Sequence, residues 1–137
     1  MTYLLDTVIV SEMRKRQPDP GVLRWLRGKA AESLFMSTVT IGEIERGVVL
    51  RRAADPAFTE ALGSWLEQLI DFCRDRILAI DVAVARRWGR LAARLGHAGT
   101  DLLIAATALE HGLTVATRNI RHFARTGVAI ENPFDAA

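Results

Sequence analysis

Sixteen acidic residues are spread along the 137-residue chain, and few of them stand where a ligand can reach. Asp6 follows the apolar run Tyr3-Leu4-Leu5. Glu43 falls in the first turn of a helical pattern after the apolar stretch 33–37, and Asp81 follows the stretch 77–80. Asp101 opens a helical run with no charge from Leu102 to Leu109, and Asn119 comes just after the stretch 113–117. Carboxylates that converge on one spot repel each other, and a hard divalent cation with oxygen ligands resolves the repulsion, so Mg2+ or Mn2+ suits this set. Taken singly, each acid also has a local use. Asp101 suits the positive end of a helix, and Thr40-Ile41-Gly42-Glu43 has the form of a capping box. Spacing alone leaves both readings open.

Other chemistries lack their residues. His97, His111 and His122 show neither H-x3-H nor H-E-x-x-H spacing, and there is no Walker loop, G-x-G-x-x-G fingerprint or G-x-S-x-G elbow. Cys73 is the only cysteine, which excludes an internal disulfide framework and fits a reducing, cytoplasmic setting. On an apolar helical face it reads as core packing. No apolar run approaches the roughly 20 residues needed to span a bilayer. The net charge of +2 is too small to announce a nucleic-acid binder, although 16 of the 18 basic residues are Arg, the side chain suited to bidentate phosphate contact.

The elements that must position the acids follow from periodicity and punctuation. Strands are expected at 3–5, 33–37, 77–80, 113–117 and 128–130. Helices are expected at 8–14, after the cap Asp19-Pro20, from Thr40 to about 54, after Asp55-Pro56 to Cys73, after Asp81 to Leu95, and from Thr100 or Asp101 to His111 with Gly112 as a left-handed cap. A short turn or helix covers 119–123. Strands alternating with helices predict an α/β domain with a mostly parallel sheet, a single domain over 1–137. In such sheets ligands bind beyond the carboxyl ends of the strands, where strand order reverses.

Five blocks carry a resemblance. They are Leu4-Leu5-Asp6-Thr7 with Ser11-Glu12, the run from Ser37 to Glu43, the run from Thr100 to Ala108, the run from Thr114 to Asn119, and Asn132-Pro133-Phe134. In this order and spacing the chain resembles the PIN-domain ribonucleases, more narrowly the VapC toxins of toxin–antitoxin modules and their FitB-like relatives. The resemblance implies an α/β/α sandwich with a five-stranded sheet and Mg2+- or Mn2+-dependent cleavage of RNA. It implies that Asp6, Glu43 and Asp101 hold the metal or its waters, and that Asn119 completes the catalytic set. Ser37 and Thr117 would bond the carboxylates or phosphate, and Arg118 would meet RNA or face solvent. It further implies a cognate antitoxin and a homodimer. Two positions depart from the family pattern. Asn119 stands where Asp is common, and Val8 where Asn is usual, which keeps open a catalytically weakened binding module, beside a housekeeping RNA-processing nuclease. An apolar surface around Trp25, Ile41, Ile44 and Trp65 is either core packing or a seat for an antitoxin helix. The row Arg86, Arg87, Arg90 and Arg94 either tracks phosphates or is a solvated helix face.

Overall fold

The computed structural model describes residues 1–136. Five short strands, β1 (Tyr3–Leu5), β2 (Leu34–Ser37), β3 (Ile77–Leu78), β4 (Thr114–Ala116) and β5 (Ile130–Glu131), form one sheet in the order β3-β2-β1-β4-β5. Every pairing is parallel, with Leu4 opposite both Phe35 and Val115. The sheet is therefore wholly rather than mostly parallel. The chain steps outward from β1 through β2 to β3, then returns to the other side of β1 for β4 and β5. The order reverses at β1, and the crevice beyond the carboxyl ends of β1 and β4 is where such sheets bind ligands.

Seven helices cover the sheet: α1 (Thr7–Met13), α2 (Pro20–Arg27), α3 (Thr38–Arg51), α4 (Pro56–Phe72), α5 (Val82–Leu95), α6 (Thr100–His111) and α7 (Ile120–Phe123). Successive strand residues point to opposite faces, and the core divides accordingly. Tyr3 and Leu5 join Ile9, Val10, Trp25, Ile44, Leu62 and Leu66 on one face. Leu4 and Val115 join Val84, Leu91, Ile104 and Phe123 on the other. Three layers result, α/β/α. Among the described residues no helix is long and apolar enough to cross a membrane.

The helix starts follow the expected chemistry. Asp19 accepts from the amides of Gly21 and Val22 at 2.9 and 3.1 Å, Asp55 from Phe58 at 3.1 Å, and Asp81 from Val84 at 2.9 Å. Gly112 closes α6 with a φ of 67°, a left-handed value that glycine adopts without steric cost. One start differs. The helix expected from Thr40 begins at Thr38, because Ser37 caps it by accepting from Val39 N at 3.0 Å. Thr40 and Glu43 are thereby inside the helix and do not form a capping box. β3 ends at Leu78, two residues short of expectation, and β5 begins two residues late. Trp25 and Ile44 are buried in the core, with Ile41 and Trp65 packed against it. Cys73 is buried as expected, and burial pushes its thiol pKa up.

Candidate metal centre

β1 delivers Asp6 to the switch point. Its amide bonds Ala116 O of β4 at 3.0 Å, and its carboxylate caps α1 by accepting from Thr7 N at 2.8 Å. The second carboxylate oxygen accepts from the Thr117 hydroxyl at 2.8 Å, in a fully buried contact. Thr117 in turn accepts from Asn119 N at 2.9 Å. Asp6 is only 7% exposed. Burial pushes its pKa up, against the lowering effect of the Thr117 and Thr7 bonds, and the nearby charge of Glu43 pushes it further up. The Asn119 side chain lowers it. No Lys, Arg or His forms an ion pair with Asp6 among the described residues.

Glu43 reaches the same cleft from α3. The Thr7 hydroxyl donates to Glu43 Oε1 at 2.5 Å, and Thr7 Oγ1 lies 3.0 Å from the buried Thr40 Oγ1. Thr7 has one hydroxyl proton and commits it to Glu43, so the Thr40 hydroxyl donates to Thr7. Thr100 Oγ1 approaches Glu43 Oε2 at 3.4 Å. A relay Thr40, Thr7, Glu43 thus holds the carboxylate that a capping box would have turned back on its own helix.

Asp101 arrives from the N-terminus of α6. Gly99 caps that helix without a side chain, and its amide donates to His97 Nδ1 at 3.4 Å. A Cβ on Gly99 would lie 2.5 Å from Asp101 Oδ1. The carboxylate occupies the space that any larger residue would take, so glycine here sets the position of Asp101.

Asp6, Glu43, Asp101 and Asn119 line one cleft of about 360 Å3, with Thr7, Val8, Gly99, Thr100, Ile104, His122 and Phe123. No Arg or Lys lines it. Its donors are carboxylate, amide and hydroxyl oxygens with one imidazole, the set that a hard divalent cation takes. A buried, unpaired Asp6 carboxylate beside Glu43 is the feature a cation would relieve. Among the described residues no three His, Cys, Asp or Glu side chains stand close enough together to hold a metal ion as they are placed. The donor chemistry fits, and the carboxylates that line the cleft must draw closer together to complete a site.

Other expected site residues lie elsewhere. Ser37 is buried as the cap of α3 and does not line the cleft. Arg118 lies over the Phe134 ring at 4.5 Å, its charge bears on Glu12, and it does not line the cleft either. Asp81 caps α5 at the end of edge strand β3. Thr117 is where it was expected, bonded to Asp6. In the Arg row of α5, Arg87 pairs with Glu110 at 2.7 Å and Arg94 donates to the Arg125 carbonyl at 3.3 Å. Thr7, Thr40 and Thr100 carry no site role in the sequence reading, where Thr40 and Thr100 stand only as helix openers. The signal for Thr40 was the Thr-x-x-Glu spacing, which brings both side chains to Thr7.

The PIN domain family model matches residues 3–129. The chain is 33% identical to VapC ribonuclease Y4jK of Sinorhizobium fredii, over 98% of this chain and 99% of that protein. It is 34% identical to toxin FitB of Neisseria gonorrhoeae, over 96% and 97% of the two chains. The crystal structure of FitAcB from Neisseria gonorrhoeae superposes with a TM-score of 0.87 at 35% identity, covering 97% of this chain and 99% of that one.

Proposed function

The chain belongs to the PIN-domain family, among the VapC and FitB toxins, and from that premise we propose that it is an endoribonuclease toxin restrained by a cognate antitoxin protein. The reading takes residues 1–137 as one such domain, working in the cytoplasm as a homodimer. The observation that carries it is the buried Asp6 carboxylate, unpaired and beside Glu43, in a cleft that no Arg or Lys lines. Asp6 and Asp101 would hold Mg2+ or Mn2+, with Glu43 acting through a water. When bound, such an ion neutralises phosphate charge and lowers the pKa of an attacking water.

The chain's own residues do the rest. Thr117 fixes one Asp6 oxygen and Thr7 N the other, so the carboxylate keeps one orientation. Thr7 and Thr40 hold Glu43 within the cleft, where it is available to take a proton from water. Asn119 donates its side-chain amide N–H to Asp6, where a further carboxylate would add repulsion. Asn119 and the separation of the three acids also give substance to a second reading, a module that binds without cutting. Induced expression in a bacterial host separates the two. The proposal expects growth arrest with accumulation of RNA fragments, absent from Asp6→Asn and relieved by the co-expressed antitoxin. Arrest by Asp6→Asn at wild-type strength, or arrest without RNA fragments, refutes it.

A further inference from the structure

A second cleft of about 460 Å3 adjoins the acidic one and shares Asp101 and His122 with it. Its remaining walls are Leu95, His97, Arg121 and Arg125. The polarity is reversed, with two guanidinium groups and two imidazoles against one carboxylate. Neither Arg121 nor Arg125 has a carboxylate partner among the described residues. Arg94 fixes the turn that presents Arg125 by donating to its carbonyl. Gly99 N donates to His97 Nδ1, which leaves Nε2 as the ring's donor nitrogen. Two stretches of chain build this cleft, the passage from the end of α5 to the start of α6, which carries Leu95, His97 and Asp101, and the continuous run of α7 and the 3-10 turn Ala124–Thr126, which carries Arg121, His122 and Arg125.

A third cleft, which shares Thr7 and Glu43 with the acidic one and is lined by Arg14 and Arg51, is basic in a different way. Arg14 and Arg51 both lie over the Phe58 ring, at 5.4 Å each, beside Leu62 and Trp65. Those cations are engaged with an aromatic ring on a mixed apolar surface. Among the described residues Arg121 and Arg125 have no such partner, and Leu95 is the only apolar residue lining their cleft. Paired, unengaged guanidinium groups in a polar recess are the arrangement that takes phosphate.

We propose that the Arg121/Arg125 cleft binds the backbone phosphate of RNA next to the one positioned at the acidic cleft. This rests on the nuclease reading for its substrate. The shared wall sets the two sites side by side, so one strand places one phosphate against Asp6 and Asp101 and the next against the two arginines. Asp101 faces both and sets the boundary between them. The role is positioning of substrate, without sequence readout.

The test uses the full chain carrying Asp6→Asn, so that RNA survives, with a labelled single-stranded RNA in Mg2+ buffer and fluorescence anisotropy as the readout. Adding Arg121→Gln and Arg125→Gln is expected to weaken binding about tenfold and to reduce the salt slope by about 0.7, the share of the one phosphate the two arginines hold. Arg16→Gln with Arg27→Gln, which removes the same charge from residues lining neither cleft, is expected to change affinity less than twofold. On the active chain, Arg121→Gln with Arg125→Gln is expected to raise KM and leave kcat unchanged. Equal losses in the two pairs, an unchanged slope, or no RNA binding at all overturns the proposal. Arginine-dependent binding by a wild-type chain that cuts no RNA leaves this cleft standing and removes the nuclease reading instead.

Discussion

Replacing Gly99 with alanine tests how the fold sets Asp101, because the structure separates its effect on stability from its effect on chemistry. Gly99 has a φ of −64° and a ψ of 161°, extended values that alanine adopts freely, so the backbone need not change. The new Cβ would meet Asp101 Oδ1 at 2.5 Å and Cγ at 3.7 Å, with His97 Nδ1 at 3.6 Å. Ordinary contact requires the carboxylate to retreat by about 1 Å. The colliding atom is the end of a flexible side chain, so the clash relaxes by rotation, and the loss of glycine at the cap costs about 1 kcal/mol at most. A reactive group displaced by about 1 Å costs on the order of 100-fold in rate. The expected result is therefore a melting temperature within a few degrees of wild type and cleavage of a fluorogenic RNA reduced about 100-fold. Combining Gly99→Ala with Asp101→Ala is expected to be no worse than Asp101→Ala alone, since both act through one carboxylate. Wild-type cleavage by a folded Gly99→Ala chain refutes the reasoning, as does full additivity with Asp101→Ala.

Three further outcomes follow from the same geometry. Thr117→Val removes the donor to Asp6 and the acceptor of Asn119 N, and is expected to destabilise by about 1–3 kcal/mol. It also removes a contact that lowers the Asp6 pKa, so the acid limb of the cleavage profile moves to higher pH; an unmoved limb counts against Asp6 as the ionising group. Glu12 is buried, which alone would raise its pKa. Its ion pair with Lys15 at 2.8 Å and its bond from Asp19 N at 2.8 Å instead hold it below the ordinary value of 4.5. Glu12 therefore adds stability above about pH 4.5 that disappears as pH falls through its lower folded-state pKa. Denaturant unfolding of Glu12→Gln should show a deficit of about 1–3 kcal/mol at pH 7 that shrinks in acid, and a pH-independent deficit contradicts this. Asn119→Asp adds a carboxylate beside Asp6, and calorimetric titration with Mn2+ is expected to show tighter binding or a second ion, with a lower melting temperature in chelator. No change in any of the three would show that position 119 lies outside the metal's reach.

What could be read from sequence was chiefly what local chemistry decides. The aspartates before Pro20 and Pro56, Asp81, and Gly112 each do what their types dictate within one helical turn. Asp6 was legible because a carboxylate between two apolar runs needs an unusual reason to be there. Glu43 was legible as a candidate but not in its contacts. Ser37 lies three residues before the expected helix start and takes the cap, so Thr40 and Glu43 turn to Thr7, 33 and 36 residues away in sequence. Arg118 reads from sequence as an RNA contact or a solvated arginine, whereas in the fold it lies over Phe134 with its charge bearing on Glu12, neighbours that periodicity cannot reveal. The near-neutral net charge concealed two neighbouring clefts of opposite sign. Arg121, Arg125, His97 and His122 share a wall only because α5, α6 and α7 pack on the same face of the sheet.

The central claim is that Asp6, Glu43 and Asp101 form one metal centre that cuts RNA, and cleavage of a single labelled RNA under controlled metal tests it most directly. Cleavage is expected in Mg2+ or Mn2+, stopping with chelator and returning when the metal is restored. Asp6→Asn and Asp101→Asn are each expected to lower the rate at least 100-fold while remaining folded. Cleavage that persists in chelator, or that survives undiminished in either variant, would contradict it.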